Sequence, residues 1–159
     1  MRIALASDHR GVEAVQALQD RLTEVGHDAR ILGQCDGSSC DYPDQAYLVG
    51  RAVGNGEADR GILICGSGIG MTIAANKMPG VRAALVHGEH DAEMSRRHNN
   101  ANVLCLSGDG DAEQAFPRIV DIWLNTDFEG GRHARRVEKI MAIERGEDPS
   151  KAVAEQARA

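Results

Sequence analysis

The stretch Leu63-Ile64-Cys65-Gly66-Ser67-Gly68-Ile69-Gly70 decides the fold of this chain. Its apolar part predicts a buried strand that ends at Cys65, and glycines then alternate with small residues. The following residues, 71–77, predict a helix. Such a layout forms a cradle for an anion, because glycine allows close backbone approach and the first N–H groups of a helix attract negative charge. The stretch therefore predicts an α/β fold with a thiol at the edge of an anion or oxyanion site.

Apolar strand segments alternate with helical segments along the chain. Strands are predicted over residues 2–7, 29–32, 60–64, 81–86 and 103–106. Helices are predicted over residues 12–25, 43–53, 71–77, 89–99, 112–124 and 132–144. This alternation predicts a three-layer α/β/α sandwich around a five-stranded parallel sheet. Ligands bind such sheets outside the carboxyl ends of the strands, which directs attention to Ser7-Asp8-His9, residues 65–70, His87 and Ser107.

The last two predicted helices carry most of their large apolar residues at helical spacing. The helix over residues 112–124 is expected to turn Phe116, Ile119, Val120 and Trp123 toward the sheet. The final helix is apolar at Val137, Ile140, Met141 and Ile143.

Length and charge limit the classes of function. The 159 residues suit one domain, predicted over residues 1–146, with a C-terminal extension over 147–159 that is either helical or frayed. A net charge of −6 argues against a broad nucleic-acid surface. No apolar stretch approaches the roughly 20 residues of a membrane span, and the N-terminal apolar run is too short for a signal peptide. A cytoplasmic protein without nucleic-acid or membrane partners is expected.

The four cysteines are Cys35, Cys40, Cys65 and Cys105. In a cytosolic protein they are expected to be reduced. The spacing of Cys35 and Cys40 fits no common zinc pattern, so these two are interpreted as ordinary loop thiols and no metal site is predicted.

Cys65 allows two interpretations. It could be a buried strand-end residue that packs as a small hydrophobe. It could equally be a base or nucleophile, because a helix N-terminus beside a thiol favours the thiolate. The glycine loop has neither the G-x-G-x-x-G spacing of dinucleotide sites nor the Lys-Ser/Thr pair of a P-loop. Glu89 lies near the end of the next strand, where a ribose-binding carboxylate is expected, so a nucleotide site stays a minor alternative.

Three other segments contain residues that could act in a functional site, and each also has a purely structural interpretation. Asp8 either caps the first helix or takes part in a site with His9. His98, Asn99 and Asn100 either close the fourth helix, with an asparagine in a left-handed turn, or contact a ligand. Arg132 and Arg136, four residues apart on one helix face, either clamp a phosphate or form a solvated basic turn.

Five segments in this order resemble the ribose-5-phosphate isomerase B family, which includes galactose-6-phosphate isomerase subunits. They are Asp8-His9, Asp41-Tyr42-Pro43, residues 65–70 followed by Ala74-Ala75-Asn76-Lys77, residues 98–104 and residues 129–133. The likeness extends from Arg2 to about Glu144. Each segment alone is weak, but the ordered set is specific.

The resemblance implies a cofactor-free aldose–ketose isomerase that works through an enediol(ate). It also implies a Rossmann-like fold and a homodimer with active sites at or near the interface; a tetramer stays open. Cys65 matches the family's base, which moves a proton between C2 and C1, and His98 matches the residue that opens the sugar ring. Members that use a glutamate instead carry it where this chain has Met71.

The resemblance implies further roles at the same site. Ser67 would bridge Cys65 and the substrate oxygens, and Asp8 would carry a proton between O1 and O2. His9, Arg132 and Arg136 would hold the phosphate. The expected substrate-binding set is Asp8, His9, Tyr42, Gly66, Ser67, Gly68, Ile69, Gly70, Asn99, Arg132 and Arg136.

One position departs from the family pattern. Members often carry a phosphate-binding arginine after the fifth strand, where this chain has Asp109.

Galactose-6-phosphate relatives lack a histidine at the position of His98, which favours ribose 5-phosphate as substrate. The alternatives are an isomerase of another sugar phosphate, such as allose 6-phosphate, or of a free rare sugar. A non-catalytic sugar-phosphate-binding module and a thiol redox protein are the other functions considered; the latter lacks a partner cysteine near Cys65.

Overall fold

The computed structural model describes residues 1–33, 38–109 and 114–152. Its strands are β1 (Arg2–Ser7), β2 (Asp28–Gly33), β3 (Arg60–Cys65), β4 (Ala83–Leu85) and β5 (Val103–Ser107). Its helices are α1 (Val12–Glu24), α2 (Tyr42–Gly54), α3 (Ile69–Ala75), α4 (Glu89–Asn99), α5 (Phe116–Asn125) and α6 (Arg132–Glu144).

The five strands form one parallel sheet in the order β2-β1-β3-β5-β4. Strand β3 is central, and Ile62, Leu63 and Ile64 in it are fully buried. Helices cover both faces of the sheet, which explains why this strand is an uninterrupted apolar run rather than an alternating one. The predicted α/β class with a five-stranded parallel sheet is confirmed.

Alternate residues of β3 belong to two separate cores. Ile62 and Ile64 lie in a cluster that also holds Phe116, Ile119, Val120 and Trp123, the residues predicted to face inward from α5. Leu63 and Cys65 lie in the second cluster, with residues of α2 and α3 such as Val49 and Met71. Cys65 therefore ends the strand on the face that α2 and α3 cover.

Several element boundaries differ from the prediction. Helix α3 begins at Ile69, two residues earlier than expected, because Gly68 at its N-cap adopts a left-handed conformation (φ +73°) that turns the chain directly into the helix. Strand β4 has only three residues. Helix α5 begins at Phe116 with a proline in its first turn, and the predicted start of this helix at residue 112 lies outside the described residues.

The final helix does not bury all of its apolar residues within its own chain. Ala142 is fully buried, whereas Ile140 and Ile143 are 43% and 61% exposed. Ile69 and Ile73 of α3 are also more than half exposed. The side chain of Glu144 accepts hydrogen bonds from the backbone N–H of Gly80, which ties the end of α6 to the segment after α3.

The cysteines differ in state. Cys65 and Cys105 are buried free thiols. Cys40 is disulfide-bonded, so the interpretation of Cys40 as a reduced loop thiol is wrong; Cys35 lies outside the described residues.

The C-terminal extension is described only as far as residue 152, where Asp148 accepts hydrogen bonds from Ser150 in a turn. Residues 153–159, on which the alternatives of a helical or frayed tail depend, lie outside the described residues. Within the part of the chain that is described, no helix combines the length and apolarity needed to cross a membrane.

Candidate active site

The glycine loop after β3 is held by the neighbouring end of β5. The Ser107 hydroxyl donates to the carbonyl oxygen of Gly66 at 2.7 Å. The backbone N–H of Gly108 donates to the Cys65 carbonyl at 2.9 Å, and that of Asp109 donates to the Gly66 carbonyl at 3.0 Å. These bonds extend the parallel pairing of Cys65 with Ser107 beyond the strand ends. The Cys65 thiol, 3% exposed, therefore has a fixed position at the carboxyl edge of the sheet.

Gly68 cannot be replaced without displacing its surroundings. A Cβ atom there would lie 2.5 Å from Leu85 Cδ1 and 3.0 Å from the Leu106 carbonyl oxygen, in addition to its left-handed φ. The Gly68 carbonyl accepts from Thr72 Oγ1 at 2.7 Å, and the backbone N–H of Ile69 donates to Ser67 Oγ at 3.3 Å. The loop thus presents its backbone closely packed against β4 and β5.

Tyr42 lies against the end of the glycine loop. A Cβ atom on Gly70 would come within 2.5 Å of the Tyr42 ring, so glycine is required for this close approach. Tyr42 is the first residue of α2, and 41% of it is exposed. The structure therefore brings Tyr42 beside the loop, and its predicted role in binding substrate stays a prediction.

The end of β1 lies beside the end of β3. The backbone N–H of Asp8 donates to the Ile64 carbonyl at 3.0 Å, and Asp8 is 6% exposed. Its carboxylate accepts from the backbone N–H of Arg10 at 2.8 Å. The N-cap residue of α1 is Gly11, and no side chain makes a capping hydrogen bond to this helix end. The alternative in which Asp8 caps the helix is therefore wrong. Asp8 instead stabilises the turn that leads from β1 into α1.

His98 lies in a second group of polar side chains, at the last turn of α4. Its ring stacks on that of His133, with centroids 4.1 Å apart and planes within 3°. Glu129 Oε2 lies 3.4 Å from His98 Nε2 and 3.9 Å from His133 Nε2. Burial, together with the nearby His98 and Arg132, holds the pKa of His133 below its ordinary value. Glu129 and His133 lie in the motif over residues 129–133, which by itself predicts no role for either side chain.

The end of α4 is fixed by buried Arg96. Its guanidinium donates to the Asn100 side chain at 2.9 Å and to the Ala101 carbonyl at 2.6 Å. Asn100 is in the left-handed conformation that closes the helix, as the C-cap interpretation of this segment predicted. Asn99 and His98 are therefore presented from a rigid helix end.

The two histidines and Glu129 could also be considered as metal ligands. Their ligand atoms all lie within 4.8 Å of one another. However, Arg97 Nη2 lies 3.6 Å from the Glu129 carboxylate, and Arg132 Nε donates to His133 Nε2 at 3.2 Å. The guanidinium groups already supply positive charge there and occupy one of the ring nitrogens, which disfavours a cation at this position.

The two groups lie at opposite edges of the sheet within one chain. Cys65 pairs with Ser107 at the carboxyl edge, whereas Gly61 pairs with Val103 at the amino edge, and α4 ends just before β5 begins. Four residues of β5 separate the edges by roughly 13 Å. The structure thus brings together Asp8, Tyr42 and residues 65–70, but places His98, Asn99 and Arg132 elsewhere.

A family model described as Ribose/Galactose Isomerase matches residues 3–140. The chain belongs to the ribose/galactose isomerase family. This membership confirms the resemblance that the ordered motifs indicated, and it makes the chain a sugar-phosphate aldose–ketose isomerase.

Solved structures of this family agree with the fold. Ribose-5-phosphate isomerase B of Clostridium thermocellum has a TM-score of 0.89 and 45% identity, with 92% of this chain and 99% of that chain covered. Ribose-5-phosphate isomerase B of Mycoplasma genitalium, solved with bound ribulose-5-phosphate, has a TM-score of 0.87 and 44% identity, with 91% and 96% covered.

Curated relatives in the family differ in the substrate that their names give. Ribose-5-phosphate isomerase B of Escherichia coli is 42% identical over 90% of this chain and 96% of its own length. D-erythrulose-4-phosphate isomerase of Pectobacterium atrosepticum is 36% identical over 92% of this chain and 97% of its own length. Family membership therefore fixes the class of reaction and leaves the particular sugar to be determined.

Proposed function

We propose that this enzyme interconverts ribose 5-phosphate and ribulose 5-phosphate, with Cys65 as the base. The observation that carries the proposal is the buried Cys65 thiol at the end of β3, where the glycine loop begins and Asp8 bonds to the adjoining Ile64 carbonyl. Similarity to ribose-5-phosphate isomerase B structures, one of them with bound ribulose-5-phosphate, supports the choice of substrate.

The Cys65 thiolate takes the proton from C2 of the open-chain aldose and returns it to C1. A positioned base of this kind typically contributes about 10²–10⁴ in rate. The enediolate that forms carries negative charge on its oxygen atoms, which backbone N–H groups of residues 66–70 stabilise. One such donor contributes about 3 kcal/mol to the transition state.

Asp8 and Ser67 complete the proton transfers in this proposal. Asp8 lies beside the end of β3 and carries the proton between O1 and O2. Ser67, whose hydroxyl accepts from the N–H of Ile69, contacts the substrate oxygens near Cys65. Tyr42, packed on Gly70, forms the wall of the same site.

The remaining residues come from a second copy of the chain. His98, which opens the furanose ring, lies at the amino edge of the sheet, so it cannot reach a sugar bound to Cys65 in the same chain. A homodimer that places one chain's His98, Asn99, Arg132 and Arg136 over its partner's glycine loop would complete the site. The exposed isoleucines of α3 and α6 supply apolar area for such an interface.

Phosphate binding is assigned to His9 of one chain and to Arg132 and Arg136 of the other. Arginine binds phosphate through paired N–H donors, and the four-residue spacing places both guanidinium groups on one face of α6. Further assembly to a tetramer and a cytoplasmic location stay predictions, to be checked by sedimentation and by cell fractionation.

The test is conversion of ribose 5-phosphate by the purified protein without added metal or nucleotide, beside the Cys65→Ser variant. Turnover by the wild type and its loss in the variant are expected. Equal turnover by both proteins would place the base elsewhere. If the wild type does not turn over this substrate, four- and six-carbon sugar phosphates and free sugars are the next substrates, because the family includes a D-erythrulose-4-phosphate isomerase.

A further inference from the structure

Arg10 and Asp109 form an ion pair across the carboxyl edge of the sheet. Arg10 Nε donates to Asp109 Oδ1 at 2.8 Å, and Arg10 Nη2 lies 2.5 Å from the same oxygen. Arg10 follows β1 and Asp109 follows β5, and these two strands flank β3 in the sheet. The pair therefore passes over the end of β3, where Cys65 and the glycine loop lie.

Contacts with Gly66 hold Asp109, and with it the ion pair, directly against the glycine loop. A Cβ atom on Gly66 would lie 3.1 Å from Asp109 Oδ2, so the carboxylate rests on the first glycine of the loop. The Asp109 backbone N–H also bonds to the Gly66 carbonyl. On the other side, a Cβ atom on Gly108 would lie 3.0 Å from the Arg10 carbonyl oxygen, which shows how closely the two segments pack.

Stability alone does not account for the pair. The Arg10 and Asp109 side chains are 55% and 51% exposed, and ion pairs this exposed contribute little to folding free energy. A lone carboxylate beside a site for an anionic substrate would repel that substrate. A guanidinium group held on the carboxylate neutralises that negative charge and presents N–H donors to an incoming anion.

The donor geometry leaves Arg10 able to bind a second anion. A guanidinium group has five N–H donors in a planar fork. Within the described part of the chain, the Arg10 side chain directs Nε and Nη2 toward one oxygen of Asp109. The other edge of the fork can therefore contact a phosphate while Asp109 holds the first edge.

We propose that Arg10 binds the phosphate of the substrate and that Asp109 is a positioning residue that holds Arg10 over the glycine loop. This inference rests on the proposed function, because it requires a phosphorylated substrate at this loop. The resemblance led us to expect a phosphate-binding arginine at position 109. In this chain the guanidinium group would instead come from Arg10, in the loop after β1, and Asp109 would hold it there.

The experiment measures binding of inorganic phosphate by isothermal titration, and kcat and KM with ribose 5-phosphate. In Arg10→Ala, the Kd for phosphate and the KM are expected to rise about ten- to a hundredfold, as for a lost charged hydrogen bond, with kcat within about threefold because the phosphate is remote from the chemistry. Arg2→Ala is the matched control, because Arg2 forms a similarly exposed pair with Asp59 at the amino edge.

Asp109→Ala tests the positioning part. If Asp109 holds Arg10 in place, phosphate binding weakens in this variant; tighter binding would show that Asp109 only repels the anion and would overturn this part. An Arg10→Ala variant that binds phosphate as tightly as the wild type, or a wild type that does not bind phosphate, would overturn the whole inference. Phosphate binding that depends on Arg10 without turnover of ribose 5-phosphate would instead contradict the proposed function alone.

Discussion

At the scale of single residues, the two buried thiols offer a direct comparison. Cys65 and Cys105 lie in the same core cluster on neighbouring strands. Burial raises the pKa of the Cys105 thiol to about 12, so Cys105 stays protonated at neutral pH and cannot serve as a base. Position at the strand end, beside the glycine loop, is what distinguishes Cys65.

Replacing Cys65 by alanine should lower kcat by about 10²–10⁴, the usual contribution of a positioned base, with KM changed little. The measurement is steady-state turnover of ribose 5-phosphate. Cys105→Ala is the matched control: it should lower the melting temperature through the cavity it leaves but keep kcat near the wild-type value. A comparable loss of kcat in both variants would point to a general disturbance of the core.

At the scale of elements, the turn from β3 into α3 depends on one glycine. Gly68→Ala should lower the free energy of unfolding by about 1–2 kcal/mol for the left-handed backbone and by about 1–3 kcal/mol more for the contact with Leu85 and the Leu106 carbonyl. Urea denaturation measures both terms together.

Gly56→Ala separates the two terms, because Gly56 has nearly the same φ (+72°) but no atom within 4 Å of an added Cβ. The Gly56→Ala variant should show only the backbone contribution to the loss in free energy of unfolding, and it should keep full activity. An equal loss of stability in both variants would mean that the packing around Gly68 relaxes without cost.

The contact between α4 and α6 should make stability dependent on pH. The pKa of His133 is lower in the folded protein than its ordinary value near 6.5, so below that pH the unfolded chain binds a proton that the folded chain resists. The free energy of unfolding should therefore fall as the pH decreases from about 6.5 toward the folded pKa, and then level off.

Urea midpoints between about pH 8 and about pH 5 measure this dependence. His133→Gln should flatten it, whereas His87→Gln, at an exposed histidine, should not. An unchanged pH dependence in His133→Gln would assign the acid sensitivity to other groups.

The sequence predicted elements better than it predicted their boundaries or their partners. The apolar run of β3 and the helical spacing of α5 specified burial, and both were right, because burial of a strand or helix face follows from local pattern. The start of α3 was wrong by two residues because a left-handed glycine leaves no apolar signal. The Arg10–Asp109 pair joins residues 99 positions apart, and no local pattern contains such a contact.

At the scale of the whole molecule, Cys65 and His98 of one chain lie at opposite edges of the sheet. Motif order suggested one set of site residues, but sequence order carries no information on which edge of the sheet each residue reaches. Only the path of α4, which returns from the carboxyl edge to the amino edge, shows that one chain does not bring them together.

Mixing two inactive variants tests the composite site. If chains of Cys65→Ala and His98→Asn are unfolded together and refolded, each mixed dimer should hold one intact site and regain about half the wild-type activity per dimer. Each variant refolded alone is the control and should stay inactive. No recovery in mixed dimers of demonstrated composition would place both residues in one chain's site.

The path of α4 also has a genetic consequence. A chain that carries Cys65→Ala and His98→Asn together would spoil both sites of any dimer it enters, whereas the same two changes on different chains complement each other. Expressed in equal amounts beside the normal copy, the doubly changed allele would leave only about a quarter of dimers active under random pairing. It would therefore behave as a dominant-negative allele, and a cis–trans comparison in living cells would reveal the shared site without purification of the protein.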